Sequence, residues 1–201
     1  DVVKKATEQG ISFDKFKDPT SGKVELICLF YAGRGQATED PNDPLYENYI
    51  WPQEQDIEEN IEGTHFNSFF VGNELDHYGK LMGMGIFCHE LGHALGLPDF
   101  YNTNPYVTLP RNPFGFWSIM DAGPYVNRAN APIGYTAYER SYLGWLKIKE
   151  LTEPETVKLD PVSNKEGQLA AIVRSPNSRL EYFILENRTS DTWYPKEYKE
   201  N

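Results

Sequence analysis

Two of the four histidines in this chain lie four residues apart, in His89-Glu90-Leu91-Gly92-His93. On a helix, residues at positions i and i+4 share one face, so both imidazole rings point the same way and can bind one metal ion. Glu90 lies between them, where its carboxylate can take a proton from a water molecule that the metal activates. The pattern predicts a hydrolytic site with one Zn²⁺ ion and Glu90 as the catalytic residue.

A catalytic zinc ion usually has three protein ligands and a water molecule, so a third ligand is required. The sequence continues to Gly96 and then to Asp99. Glycine accepts positive φ at little cost and allows a sharp turn directly after the helix. In the H-E-x-x-H-x-x-G-x-x-H motif of the metzincin proteases the last position is His. Here we expect Asp99 to supply an oxygen ligand from that position.

Met120 lies 27 residues after His93, within Phe116-Trp117-Ser118-Ile119-Met120-Asp121. A methionine in an apolar run usually belongs to the hydrophobic core. Metzincins, however, carry a methionine in a tight turn below the metal, the Met-turn, and the place of Met120 after the active-site helix favours that interpretation. Tyr125 is a candidate for stabilising an oxyanion, with an ordinary aromatic position as the alternative.

The apolar pattern predicts the elements that must position these residues. Helices are expected at residues 80–95 and 131–143, and strands at residues 23–32, 64–71, 156–159, 169–173 and 181–186. Residues 33–63 are predicted to be mostly loop. Helices and strands are segregated, which predicts an α+β fold of the zincin or metzincin type, with a mixed sheet and a C-terminal strand-rich part. By analogy with metzincins, strand 64–71 is expected to edge the cleft and pair with substrate.

A length of 201 residues fits one domain. We expect a single metallopeptidase catalytic domain over residues 1–201. Its upper part, about 1–99, would carry the active-site helix, and its lower part, about 100–201, the Met-turn and the C-terminal strands. The chain has no initiator Met and no signal peptide and ends abruptly, so we expect it to be a fragment of a larger protein.

The composition excludes several classes of protein. The chain carries 30 acidic and 19 basic residues, a net charge of −11, which disfavours nucleic-acid binding because phosphate contacts need a basic face. No apolar run approaches the roughly 20 residues that span a bilayer. Two cysteines rule out a disulfide scaffold. We expect Cys28 and Cys88 to be buried free thiols, with a disulfide between them as the alternative.

The excess of acidic residues is concentrated in residues 36–79, which contain eleven acids and no Lys or Arg. A calcium (Ca²⁺) site, or a wall that favours basic substrates, is one interpretation. A solvated acidic loop is the other, and the more common one. His65 and His77 lie in the same stretch, as further metal ligands or, more commonly, as hydrogen-bonded surface residues.

With these motifs in view, the chain resembles the immune inhibitor A-type family of secreted bacterial zinc metallopeptidases. The resemblance is carried by residues 85–101 and 117–123, with weaker similarity over about 13–188. It implies a secreted or cell-surface zinc endopeptidase that acts on proteins or peptides and often has a propeptide and additional domains of the same polypeptide. It also implies His89, His93 and Asp99 as zinc ligands and Glu90 as the catalytic glutamate.

The sequence therefore predicts a zinc-dependent endopeptidase that hydrolyses extracellular proteins through a metal-activated water. Two alternatives remain. One is a metal-dependent amidase for non-protein amides, because H-E-x-x-H also serves deformylase chemistry; Gly96, Asp99 and Met120 argue against it. The other is a catalytically silent, protease-like binding domain, against which the intact Glu90 argues. Cleavage specificity, substrate and latency are left open.

Overall fold

The computed structural model describes residues 1–104 and 106–189, whose helices and strands fall into two units, Asp1–Gly96 and Leu97–Asn201. The combination of helices with two small mixed sheets agrees with the α+β class. The metzincin type and the single catalytic domain stay predictions. None of the described helices is long and apolar enough to cross a membrane.

The first unit is built on a three-stranded sheet in the order β1-β3-β2. Strand β3 (Thr64–Leu75) runs parallel to β1 (Val24–Arg34) on one side and antiparallel to β2 (Gln53–Ile61) on the other. Helix α1 (Val2–Glu8) precedes the sheet and helix α2 (Gly85–Ala94) follows it. Alternate residues of β3 are buried, which is the period of two that a strand imposes.

Two aromatic side chains on the buried face of β3 form the main packing contacts of this unit. Phe66 is fully buried with Val3 and Val24, and its ring meets that of Phe13 edge to face, with centroids 5.3 Å apart. Phe70 packs in the same edge-to-face manner against Phe87 of helix α2, at 5.3 Å. These contacts seat α2 on the sheet, because aromatic rings combine large buried area with preferred geometry.

Two predictions for this unit are wrong, and one strand is missing from a third. Within the segment predicted to be mostly loop, residues 53–61 form a strand, because an edge strand needs few apolar residues; β2 is mostly exposed, with four acids among its nine residues. Strand β3 lies at the centre of the sheet, so it cannot be the cleft edge expected of residues 64–71. Helix α2 begins at Gly85 rather than at residue 80, because the chain before it returns to the end of β3: the Met82 N–H donates to the Glu74 carbonyl at 2.7 Å.

The second unit contains helix α3 (Ala137–Tyr142) and a sheet in the order β4-β5-β6. Strand β5 (Ala170–Arg174) runs parallel to β4 (Lys149–Glu150) and antiparallel to β6 (Tyr182–Glu186). The strands predicted near 169–173 and 181–186 are confirmed within one residue at each end. The strand predicted at 156–159 is wrong, since the two-residue β4 takes the place beside β5.

Helix α3 is shorter than the predicted 131–143 because a capping box fixes its start. The Thr136 hydroxyl accepts from the Glu139 N–H, and the Glu139 carboxylate accepts from the Thr136 N–H. The first six residues of the predicted range, 131–136, are therefore not helical.

The packing of Phe66 gives a stability prediction. We expect Phe66→Ala to lower the free energy of unfolding by about 3–5 kcal/mol, because it removes a fully buried aromatic side chain and leaves a cavity. Phe16→Ala, at an exposed phenylalanine of the same unit, should change it by less than about 0.5 kcal/mol. Urea titration followed by circular dichroism measures both values, and equal losses would contradict this account of the core.

Candidate metal centre

Helix α2 places the two histidines of the H-E-x-x-H motif on one face, one turn apart. The Nε2 atoms of His89 and His93 are 3.2 Å from each other, and the rings are nearly perpendicular. Two nitrogens bound to one tetrahedral zinc at about 2.0–2.1 Å would be separated by about 3.3 Å. The two imidazoles therefore already have the spacing that a shared metal ion requires.

The chain reverses direction at the end of α2, and this reversal brings Asp99 close to the two histidines. The helix ends at Ala94, and Gly96 has a φ of +93°, which is the left-handed conformation expected there from the sequence. One ligand atom each of His89, His93 and Asp99 lies within 4.8 Å of the other two. Within residues 1–104 and 106–189, this is the one group of three or more His, Cys, Asp or Glu side chains that meets so closely.

The chemistry of this donor set fits zinc. Two imidazole nitrogens and one carboxylate oxygen are ligands that Zn²⁺ accepts in catalytic sites, with a fourth position for water. His89 is buried, and His93 and Asp99 are partly buried, so the three side chains are only partly exposed to solvent. The structure thus brings together the three residues predicted as ligands, and their role in binding stays a prediction.

Glu90 is oriented by the main chain of the acidic edge strand. Its Oε2 atom accepts a hydrogen bond from the Glu54 N–H, the second residue of β2, at 2.8 Å. Glu90 is itself largely buried. The strand that the sequence assigned to a loop therefore holds the carboxylate predicted to be catalytic. A main-chain donor leaves no side-chain signal, so sequence reasoning had no means to find this contact.

Met120 lies in a tight turn, formed by residues 118–123 and called here the Met120 turn. The Ser118 carbonyl accepts from the Asp121 N–H at 3.2 Å and from the Gly123 N–H at 2.9 Å. The Met120 side chain is fully buried. The Met120 carbonyl accepts from the N–H of Phe100 at 2.7 Å, so this turn contacts the segment that directly follows Asp99. A turn at this methionine agrees with the predicted Met-turn, whereas its role at the metal stays a prediction.

The buried carboxyl of Glu139 faces the Met120 turn. Its Oε1 atom accepts a hydrogen bond from the Ser118 hydroxyl at 2.8 Å, and the same hydroxyl oxygen accepts from the Met120 N–H at 3.0 Å. Burial raises the pKa of the Glu139 carboxyl, although hydrogen bonds from Thr136 and Ser118 act in the opposite direction. Sequence reasoning did not single out these residues; the T-x-x-E capping-box pattern at 136–139 was the available signal.

Among the other candidate residues, the two remaining histidines have carboxylate partners of their own. Tyr125 ends a short 3₁₀ turn and is partly exposed, and its role as an oxyanion stabiliser stays a prediction. His65 contacts the Glu58 carboxylate and His77 the Glu39 carboxylate, each at 2.9 Å, as expected of hydrogen-bonded residues. Neither Cys28 nor Cys88 forms a disulfide, as expected, but Cys28 is exposed and Cys88 half-buried, so the expected burial of both is wrong.

The acidic stretch is partly neutralised by its own contacts. The buried Glu39 pairs with Arg34 at 3.7 Å and with His77, and Glu58 pairs with Lys23 at 3.0 Å. Asp76 is buried and accepts from the N–H groups of two following residues, Tyr78 and Lys80. The ion pairs thus involve two of the eleven acids of this stretch, Glu39 and Glu58, and a calcium site stays a prediction.

Comparison with known proteins identifies relatives. The family model of the immune inhibitor A peptidase M6 catalytic domain matches residues 16–147, more than half of the chain. The chain is 24% identical over 188 residues to the pre-pro-metalloprotease PrtV of Vibrio cholerae serotype O1, which covers 83% of this chain and 20% of PrtV. It is 24% identical over 180 residues to immune inhibitor A of Bacillus thuringiensis subsp. alesti, and this alignment covers 75% of the chain and 26% of that relative. The chain thus spans about a fifth to a quarter of these relatives.

The raised pKa of Glu139 gives a pH prediction. A carboxyl whose pKa is higher in the folded than in the unfolded state binds its proton more tightly when folded. Its stabilising contribution is full below the ordinary value of 4.5 and is lost as the pH rises through the folded-state pKa. We therefore expect wild type to lose free energy of unfolding relative to Glu139→Gln as the pH rises above about 4.5.

Urea titrations of both proteins across a pH series measure this difference. Glu153→Gln removes the same charge from an exposed position and controls for net charge. Parallel pH curves for wild type and Glu139→Gln would show that the buried carboxyl does not titrate as its burial implies.

Proposed function

The chain belongs to the immune inhibitor A peptidase M6 family of metallopeptidases, and from that premise we propose that it is a zinc-dependent endopeptidase for extracellular proteins. The observation that carries the proposal is the meeting of His89, His93 and Asp99 within 4.8 Å, next to Glu90 on the same helix. All of these residues lie within the matched segment 16–147.

In this proposal His89, His93 and Asp99 hold the metal. When bound, Zn²⁺ lowers the pKa of a coordinated water toward neutrality and polarises a carbonyl oxygen. Glu90 takes a proton from the attacking water, whose oxygen bonds to the carbonyl carbon of the peptide. As the carbon–nitrogen bond breaks, Glu90 delivers that proton to the nitrogen of the leaving amine. The Glu54 N–H holds one oxygen of Glu90 in place for both transfers.

The relatives also support a proposal about the longer protein to which this chain belongs. Because the aligned relatives are about three to five times as long as this chain, we propose additional domains of the same polypeptide. Secretion or attachment to the cell surface follows from the same family resemblance. Protein substrates are the class that a peptidase domain implies, and we expect no nucleic-acid partner for a chain with a net charge of −11.

The two alternatives predict different results with the same substrates. A metal-dependent amidase would hydrolyse small non-protein amides and leave unfolded casein intact. A catalytically silent binding domain would cleave neither, and Glu90→Ala would change nothing. Cleavage of casein at internal bonds, abolished by a zinc chelator, is the result expected for an endopeptidase.

Glu90 provides the sharpest test of the mechanism. We expect Glu90→Ala to reduce casein cleavage by about 10²–10⁴-fold, because general-base catalysis contributes a factor of that size. The variant should still bind about one zinc per chain, since Glu90 is not proposed as a ligand. Casein cleavage is followed by gel electrophoresis and zinc by mass spectrometry. Glu8→Ala, an exposed glutamate on α1, is the control, and undiminished cleavage by Glu90→Ala would exclude the mechanism.

The ligand set gives a second prediction. We expect Asp99→Ala and His93→Ala each to weaken zinc binding by more than about 100-fold, since removing even an outer partner of a ligand costs about 10–100-fold. Titration against a chromophoric chelator measures the zinc dissociation constant. Asp56→Ala, at an exposed carboxylate of β2, is the matched control. An Asp99→Ala variant with wild-type zinc affinity would remove Asp99 from the proposed site.

A further inference from the structure

Ser118 and Glu139 form a fully buried polar pair that the proposed reaction does not use. Both side chains have no exposed surface, although they are 21 residues apart in the chain. A buried carboxylate is costly because it loses its hydration, and it is tolerated only where hydrogen bonds replace the water. An apolar residue would fill the same space without that cost. The pair therefore calls for an explanation beyond packing.

The direction of each hydrogen bond in this pair is determined by its chemistry. A main-chain N–H can only donate, so the Ser118 oxygen accepts from Met120, at 3.0 Å. The one proton of the Ser118 hydroxyl is then directed to Glu139 Oε1, at 2.8 Å. The other carboxyl oxygen of Glu139 accepts from the Thr136 N–H in the capping box of α3. One oxygen of Glu139 thus serves the Met120 turn and the other serves the helix.

The Met120 turn connects these hydrogen bonds to the segment that contains Asp99, the candidate metal ligand. The Met120 carbonyl accepts from the Phe100 N–H at 2.7 Å, and Phe100 directly follows Asp99. On its opposite side the turn is held by the Asp121 carboxylate, which accepts from the Phe114 N–H at 2.8 Å. Gly123 closes the turn, where a Cβ atom would overlap the Ser118 carbonyl. The turn is therefore held from several sides, and the hydrogen bonds of Ser118 and Glu139 are among those that restrain it.

We propose that Ser118 and Glu139 are positioning residues for Asp99, holding its peptide in place through the Met120 turn so that its carboxylate reaches the zinc ion with the two histidines. This inference rests on the proposed function, because it takes Asp99 as a zinc ligand. In this role the Ser118–Glu139 pair, which lies outside the metal centre, contributes to the affinity for zinc. Neither residue contacts the metal or the substrate in this role.

Two variants separate positioning from general stability. Ser118→Ala removes the hydroxyl that connects Glu139 to Met120. Thr136→Ala removes the capping hydroxyl of the same helix and leaves the bonds to the Met120 turn in place. Both should lower the thermal midpoint of the zinc-free protein by a few degrees, since Ser118→Ala loses the hydroxyl's bonds to Glu139 and Met120 and Thr136→Ala loses the bond from the Glu139 N–H. Zinc affinity, measured by competition with a chromophoric chelator, should distinguish them.

For Ser118→Ala we expect the zinc dissociation constant to rise by about 10–100-fold, the usual effect of losing an outer partner of a ligand. For Thr136→Ala it should stay within about twofold of wild type. If Ser118→Ala binds zinc within twofold of wild type, or if Thr136→Ala loses as much affinity as Ser118→Ala, the positioning role is excluded. Wild-type chain that binds no zinc would instead refute the proposed function itself.

A measurement on the wild-type chain tests the same inference if Ser118→Ala does not fold. Coupling between two sites is reciprocal, so bound zinc must also stabilise the bonds that position Asp99. We expect added zinc to slow the hydrogen exchange of the Phe100 and Met120 amides by at least about tenfold. The amide of Arg140, within helix α3, should change less. Equal exchange of Phe100 and Met120 with and without zinc would overturn the inference.

Discussion

A metal ion requires several donor atoms around one point, and the rest of this structure depends on that requirement. Zinc accepts nitrogen and oxygen ligands at about 2 Å, so a displacement of one ångström in any donor weakens the bond. Helix α2 meets part of the requirement locally, since His89 and His93 lie one turn apart with their Nε2 atoms 3.2 Å from each other. Asp99 lies beyond the helix, and its position depends on the reversal at Gly96 and on the segment that follows.

The sheet of the first unit both supports the helix and orients the glutamate. Phe70 and Phe87 hold α2 against the buried face of β3. Strand β2 then supplies the Glu54 N–H to the Glu90 carboxylate. Among the described strands β2 pairs with β3 alone, so the register of that pairing determines where the donor lies. The position of the proposed catalytic carboxylate is therefore coupled to the assembly of the whole sheet, not only to the helix that carries it.

The second unit contributes rigidity around Met120. A buried hydrogen-bonded carboxylate stabilises a fold less than an apolar residue would, but it restricts the geometry of the groups that it contacts. Glu139 contacts the N-terminus of α3 and, through Ser118, the Met120 turn. Its two oxygens thus align a helix and a turn that are distant in the sequence. This alignment extends to the peptide after Asp99 through the hydrogen bond between Phe100 and Met120.

The sequence by itself determined the features that depend on short spacing. The i, i+4 histidines, the left-handed Gly96 and the turn at Met120 are local, because backbone geometry over a few residues decides them. Strands β1, β3, β5 and β6 were predictable as well, because their apolar residues recur over each strand. Only the tertiary structure revealed strand β2, the central position of β3 and the contact between Glu54 and Glu90. Each of those features depends on main-chain N–H or C=O groups that bond to partners distant in the sequence. Apart from proline, these groups are the same in every residue type, so no pattern of side chains encodes where they pair.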